Sequence, residues 1–293
     1  MVMIAPTPDQ LVELALAYFA ATDVEVSLTD EGLTTKDGRV FGLEPLRRRL
    51  ACHDADEWAE RVQHHFDVLL TADHEMPATF PEAAANLRSA VIADVDLGLF
   101  DGAIMERDLV EGLGERLMLR RGILGMTVTE ETVAGWDTDP ETVWERARKN
   151  TLWDEPVHRQ EFRLGSVRYK AIRGGRWTST RVLDLDRYLD HRFDYGALVA
   201  IPARDEILFH QIRDEEFTDA ALAMLSHAVD SYAESPLPIG CDLFWWSASG
   251  TLVRICTPAE DRYRYIRVPE FSAMLWRLEE ATSVSASHIS GRQ

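Results

Sequence analysis

Residues 168–181 read RYKAIRGGRWTSTR. Arg168, Lys170, Arg173, Arg176 and Arg181 stand around the pair Gly174-Gly175, with Ser179 between two threonines. Guanidinium forks, an ammonium, hydroxyls and the bare N–H groups of a glycine turn are the donors an anion needs. Arg168, Lys170, Arg173, Gly174, Gly175, Arg176, Ser179 and Arg181 therefore form the candidate ligand-binding set, and the ligand would be a phosphorylated small molecule. The same cations could instead pair with the acidic remainder of the chain across a domain or subunit interface. Structural ion pairs are the commoner source of such clusters.

Charge sets the segment apart. Between Arg159 and Arg192 nine Arg or Lys face four Asp or Glu, so this stretch carries +5 in a chain of net charge −19. So acidic a molecule repels nucleic acid and anionic membranes, and neither is an expected partner. The run RYRYIR interleaves Arg with Tyr as single-strand binders do. In a strand it also gives one polar and one aromatic face, and the net charge favours that reading.

Other chemistry is sparse. His64 and His65 are adjacent on a helical stretch, about 100° apart in projection, and share an ion poorly. No metal or cofactor is expected. DxD pairs occur at Asp94–Asp96, Asp137–Asp139 and Asp184–Asp186 and could hold a divalent ion, but 50 acidic residues produce such pairs by chance. GxSxG, HExxH, GxxxxGK[ST] and GxGxxG are all missing. Cys52, Cys241 and Cys256 fit no disulfide framework or zinc motif, which points to a reducing, cytoplasmic compartment. The opening MVMIAPTPDQ has no basic-then-apolar signal pattern, and no apolar run is long enough to cross a bilayer.

The elements that must position these groups follow from periodicity. Thr7-Pro8-Asp9-Gln10 is a capping box with Pro at the first helical position, followed by Leu11, Leu14, Ala15, Tyr18 and Phe19 at helical spacing. VEVSL and RVFGL flank a polar stretch ending near Asp37-Gly38, which predicts a hairpin or meander. A second helix starts near Asp54 with Trp58, Val62, His65, Phe66 and Leu69 inward. LGLFDGAIMERDLV and ERLMLRR read as strands, and Asp139-Pro140 starts a helix that buries Val143, Trp144, Ala147, Asn150 and Thr151. ALVAIPARDEILFHQI reads as a central hairpin. A helix capped by Thr218 buries Leu222, Leu225, Val229 and Tyr232, and DLFWWSASGTLVRI is a hairpin across Ser249-Gly250. Residues 271–280 form the last helix. The expectation is an α+β chain of antiparallel hairpins forming mixed sheets with packed amphipathic helices: a domain over 1–75, a larger one over 76–282, and a disordered tail over 283–293.

Four blocks then resemble the YtpQ-like family of bacterial proteins. They are RDLVEGLGERLMLRRG, the pair Met126–Val133 and Val143–Thr151, GGRWTSTRVLDLDRYL, and ALVAIPARDEILFHQI, in that order over roughly residues 100–250. An insert around Ala134–Asp139 departs from the pattern. The family has no established activity, so the resemblance implies a fold and carries no chemistry. With no recognisable catalytic machinery, the chain is expected to act by binding a protein partner or a second copy of itself. The alternatives are an enzyme or sensor for a phosphorylated molecule at Arg168–Arg181, and an acidic immunity or anti-defence protein that binds a basic target.

Overall fold

The computed structural model describes residues 5–29, 32–36, 39–51, 53–71, 75–93, 103–122, 124–165, 167–190, 193–259 and 262–290. Helix α1 (Pro8–Ala20) opens on the reciprocal cap read from its sequence. The Thr7 Oγ1 accepts from the Gln10 N–H at 3.2 Å, and the Gln10 Oε1 accepts from the Thr7 N–H at 2.9 Å. Strands β1 (Val26–Thr29), β2 (Gly32–Thr35) and β3 (Val40–Phe41) form an antiparallel meander. Periodicity finds its outer strands but passes over GLTT. The turn expected at Asp37-Gly38 lies outside the described residues. The short helix α2 (Glu44–Leu50) also leaves no periodic signal, yet it buries Leu46 and Leu50. Helix α3 (Trp58–Thr71) buries Trp58, Val62 and Phe66 against Phe19 and Phe41, in a core drawn wholly from residues 11–66.

The next unit is built on a four-stranded antiparallel sheet. After α4 (Phe80–Ala83), strand β4 (Leu87–Ala93) pairs with β6 (Leu113–Arg121), whose other side takes β5 (Glu106–Val110) and then β7 (Leu124–Thr127). Following α5 (Glu130–Gly135), α6 (Pro140–Asp154) is capped by Asp139, which accepts from the Thr142 N–H at 3.2 Å. Its Val143, Trp144 and Ala147 pack on Leu87, Leu117 and Leu119. Asn150 faces inward as its projection implies and donates to the carbonyls of Ala84 at 2.7 Å and Leu87 at 3.0 Å. Beneath this helix Glu115, fully buried, accepts from Arg148 Nε at 2.7 Å. A charge so placed is tolerable only when paired.

The largest sheet follows. Strands β8 (Val157–Leu164) and β9 (Val167–Gly174) form a hairpin, a 3₁₀ segment runs over Thr178–Tyr188, and β10 (Ala197–Ala203) turns back into β11 (Glu206–Gln211). Helix α7 (Phe217–Glu234), strands β12 (Leu243–Trp246), β13 (Leu252–Ala259) and β14 (Arg262–Tyr265), and helix α8 (Pro269–Ser290) complete the chain. The strand order is β14-β13-β12-β10-β11-β9-β8, and every pairing among the described residues is antiparallel. Strand β10 is central and buried throughout. Leu198 and Ala200 pack under α7 and α8, while Val199 and Ile201 pack on Val182 and Leu185 of the 3₁₀ segment. A strand covered on both faces reads as the continuous apolar run seen here. The molecule is α+β.

Two expectations are corrected. Helix α7 buries Ala220, Ala223, Met224, Leu225 and Ala228, whereas Leu222 and Val229 are exposed, and its N-cap is Glu216 without a side-chain bond. Small residues let this helix lie close on the sheet, so its contact stripe is rotated away from the bulkier leucine and valine. Helix α8 runs on to Ser290, ten residues beyond the expected end at Glu280. Its Ser- and Ala-rich continuation contains no Gly or Pro to stop it before Gly291.

Candidate functional site

Strands β9 and β11 pair over only part of their length. Glu206, Ile207, Leu208 and Phe209 lie opposite Arg173, Ile172, Ala171 and Lys170, and there the ladder ends, although β9 starts at Val167 and β11 continues to Gln211. One further step would bring His210 opposite Tyr169. Instead the imidazole closes onto the backbone, with Nδ1 donating to the Arg168 carbonyl at 2.7 Å. A carbonyl oxygen only accepts, so Nδ1 carries the proton. Burial pushes the His210 pKa down and the ring is neutral, which leaves Nε2 a buried acceptor with no partner among the described residues.

A cavity of about 470 Å³ sits where the strands part. Successive residues of a strand point to opposite faces. The cavity therefore takes Tyr169 and His210 from the α7 side of the sheet, and Lys170 and Phe209 from the other. Its size falls within the roughly 300–1,000 Å³ of small-molecule sites.

The charges lining the cavity sort themselves by geometry. Arg213 bonds Asp190, whose N–H donates to Gln211 Oε1 at 2.9 Å. Glu161 accepts from Arg163 Nε at 3.1 Å. Arg168 and Lys170 have no carboxylate within salt-bridge distance among the described residues, and Asp214 and Glu216, at the start of α7, have no cation.

Of the eight residues chosen from sequence, Arg168 and Lys170 meet in this cavity and the other six do not. Arg173 lies on the α7 face, donating from Nε to Glu206 Oε1 at 2.6 Å, from Nη1 to Gln160 Oε1 at 2.9 Å and from Nη2 to His227 Nε2 at 3.2 Å. Gly174 ends β9 where a Cβ would stand 2.7 Å from Thr178 Oγ1 and 2.8 Å from the Pro156 carbonyl, while a Cβ on Gly175 would meet open space. Arg176 is half-buried, and burial together with nearby Arg49 lowers its pKa; no acidic partner stands by it among the described residues. Ser179 is buried and donates to the Val91 carbonyl at 2.8 Å. Arg181 is buried and donates to the carbonyls of Leu152 and Glu155, closing the end of α6. Beyond the glycine pair, Ser179 ties the 3₁₀ segment to β4 and Arg181 ties it to the end of α6, and the five cations of the run do not all line one cavity.

A second polar cluster adjoins the cavity through Tyr169. The Tyr169 ring stacks on Phe162 with centroids 5.3 Å apart, and its hydroxyl is 3.1 Å from His227 Nδ1. Burial holds the pKa of His227 down against the opposing pull of Glu206, 3.6 Å away.

Among the described residues no group of three His, Cys, Asp or Glu stands close enough to hold a metal ion. Burial keeps Cys241 a thiol, its pKa pushed up to about 11. Of the DxD pairs, Asp139 is a helix cap, Asp184 forms an ion pair with Arg187, and Asp94–Asp96 lies outside the described residues, as do Cys52 and His74. Sequence reasoning missed His210, Arg213, Asp214 and Glu216. His210 was visible only as one polar residue in an apolar strand, and nothing local tells where a ladder stops.

No helix among the described residues is long and apolar enough to cross a membrane. No family model, curated protein or solved structure matches this chain.

Proposed function

We propose that this protein binds a small molecule through an anionic group, phosphate or carboxylate, received by Arg168 and Lys170 in the cleft between β9 and β11. One observation carries the reading: the ladder stops short of the strand ends, and the resulting cavity contains two cations without ion-pair partners. Charges in such a cavity gain from an anion what they lack from the protein itself. The YtpQ-like resemblance brings no activity of its own, and an enzymatic role would need a reactive group that this reading does not include.

The test is thermal unfolding against a panel of phosphorylated and carboxylated metabolites. A ligand at 100 times its Kd adds about 2.7 kcal/mol and raises the midpoint by several degrees. Arg168→Ala with Lys170→Ala abolishes that rise and leaves the unliganded midpoint nearly unchanged. A panel in which nothing moves the wild-type midpoint defeats the reading.

A protein partner, or a second copy of the chain, is the second reading. It is favoured by Trp276, 68 % exposed on α8, and Trp153, 64 % exposed with the Arg187 guanidinium 4.0 Å over its ring. Trp and Arg are the residues that most often anchor interfaces. Light scattering that reports a monomer, with Trp276→Ser capturing the same set of cellular proteins as wild type, removes support for it. A reducing, cytoplasmic setting suits either reading, since neither Cys241 nor Cys256 is in a disulfide.

A further inference from the structure

We infer that the ligand of the β9–β11 cleft is zwitterionic, with an ammonium or similar cation a short distance from its phosphate or carboxylate. This rests on the proposal that the cleft takes an anionic group, and adds the other half of the ligand.

The charges around the cavity do not all find ion-pair partners among the described residues. Arg213 is satisfied by Asp190 and Glu161 by Arg163. What remains is Arg168 and Lys170 on β9, and Asp214 and Glu216 on the turn into α7. Among the described residues these two pairs do not bond each other, and the Glu216 N–H donates to Asp214 Oδ1 at 3.0 Å. Cations and carboxylates that line one cavity without joining are held apart by the fold. A simple anion would satisfy the first pair and be repelled by the second, whereas a zwitterion satisfies both.

His210 stands in the wall of the same cavity and supports the assignment. Asp214 and Glu216 lie close enough to favour its charged form, yet burial wins and the ring stays neutral. The imidazole therefore does not supply the cation these carboxylates lack. Its Nδ1–H is committed to the Arg168 carbonyl, so the ring is also fixed in place. The anions on the α7 turn are left for a cation from outside.

Phosphoethanolamine is a small probe with both an ammonium and a phosphate, and ethyl phosphate and ethanolamine carry one each. Titrations of ¹⁵N-labelled protein with the three compounds read the affinities directly, and β-alanine against propionate repeats the comparison for a carboxylate. Phosphoethanolamine or β-alanine is expected to bind at least tenfold more tightly than either of its fragments. Asp214→Asn with Glu216→Gln, both exposed positions, brings the zwitterion down to the affinity of its anionic fragment. Arg168→Ala with Lys170→Ala removes binding of the zwitterion and of the anion. If ethyl phosphate and propionate bind as well as the zwitterions, the inference fails and the anion reading stands. If no probe moves any resonance near the cleft, both fall.

Discussion

Arg173 Nη2 donates to Nε2 of His227 at 3.2 Å, and this one bond fixes the polarity of the cluster around it. A guanidinium has no acceptor, so Nε2 must present its lone pair and the neutral ring must carry its proton on Nδ1. Nδ1–H then donates to the Tyr169 oxygen 3.1 Å away, and the phenol proton of Tyr169 is left for another acceptor. Glu206, 3.6 Å from Nε2, would take over only if the ring became charged.

Arg173→Lys tests this assignment. The ammonium keeps a charge beside Glu206 but has no planar fork to reach His227 as well. In wild type, imidazole ¹⁵N shifts should show Nδ1 protonated and Nε2 bare; in the variant the two tautomers should mix. The His227 pKa should also rise in the variant, because one cation that lowers it has moved while Glu206, which raises it, remains. A wild-type ring protonated at Nε2 would contradict the assignment.

Arg168 and Arg181 belong to one basic run and should respond oppositely to substitution. Arg181 is 5 % exposed and satisfies two carbonyls at the end of α6, so Arg181→Met should cost about 2–4 kcal/mol by leaving buried acceptors unpaired. Arg168 is exposed and Arg168→Ala should change stability by less than about 0.5 kcal/mol. Urea midpoints measure both. Equal losses would mean that the segment acts as one structural unit and contains no free cation.

The glycine pair divides in the same way. Neither residue needs a positive φ, so the difference is one of space. Gly174→Ala drives a methyl group into the Pro156 carbonyl and Thr178, and should cost about 1–3 kcal/mol. Gly175→Ala meets nothing and should be neutral, or stabilising by up to about 1 kcal/mol through the unfolded chain. Chemical denaturation of the two variants decides whether the pair is a packing device at its first residue only.

Much of the fold was legible because its signals are local. The Thr7 and Asp139 caps, the stripe from Trp58 to Phe66 and the turn at Gly250 each lie within a few residues, and each is found where the pattern puts it. Strand β4 and helix α2 escaped, one because LRSAVIA mixes a buried arginine into its apolar run, the other because seven residues hold too few turns to repeat. The dispersal of the basic segment was not legible for a different reason. Sequence shows that five cations are near one another along the chain, but a strand sends neighbours to opposite faces and a 3₁₀ segment turns them again. Lys170 and Arg173 therefore end on opposite sides of the sheet, and Arg181 beneath α6. The cleft is a failure of two strands to finish pairing, and it depends on residues from 161 to 216, beyond the reach of any local pattern.

His65 lies in the middle of the α3 stripe and links the core of the first unit to pH. Burial, with Arg49 and His64 nearby, pulls its pKa down to about 4. In the unfolded chain it returns to about 6.5, so the unfolded state binds the extra proton between these values. A histidine depressed in this way contributes its full stability above pH 6.5, and the contribution falls as pH drops toward 4. The difference is about 3 kcal/mol across that window, from the size of the shift. His65→Gln stays neutral and should remove this part of the acid sensitivity, so that wild type and variant converge as pH falls from 7 to 4. Urea unfolding at both pH values provides the comparison. Parallel losses in the two proteins would assign the acid limb to other groups, His210 on β11 and His227 on α7 foremost, since burial depresses both.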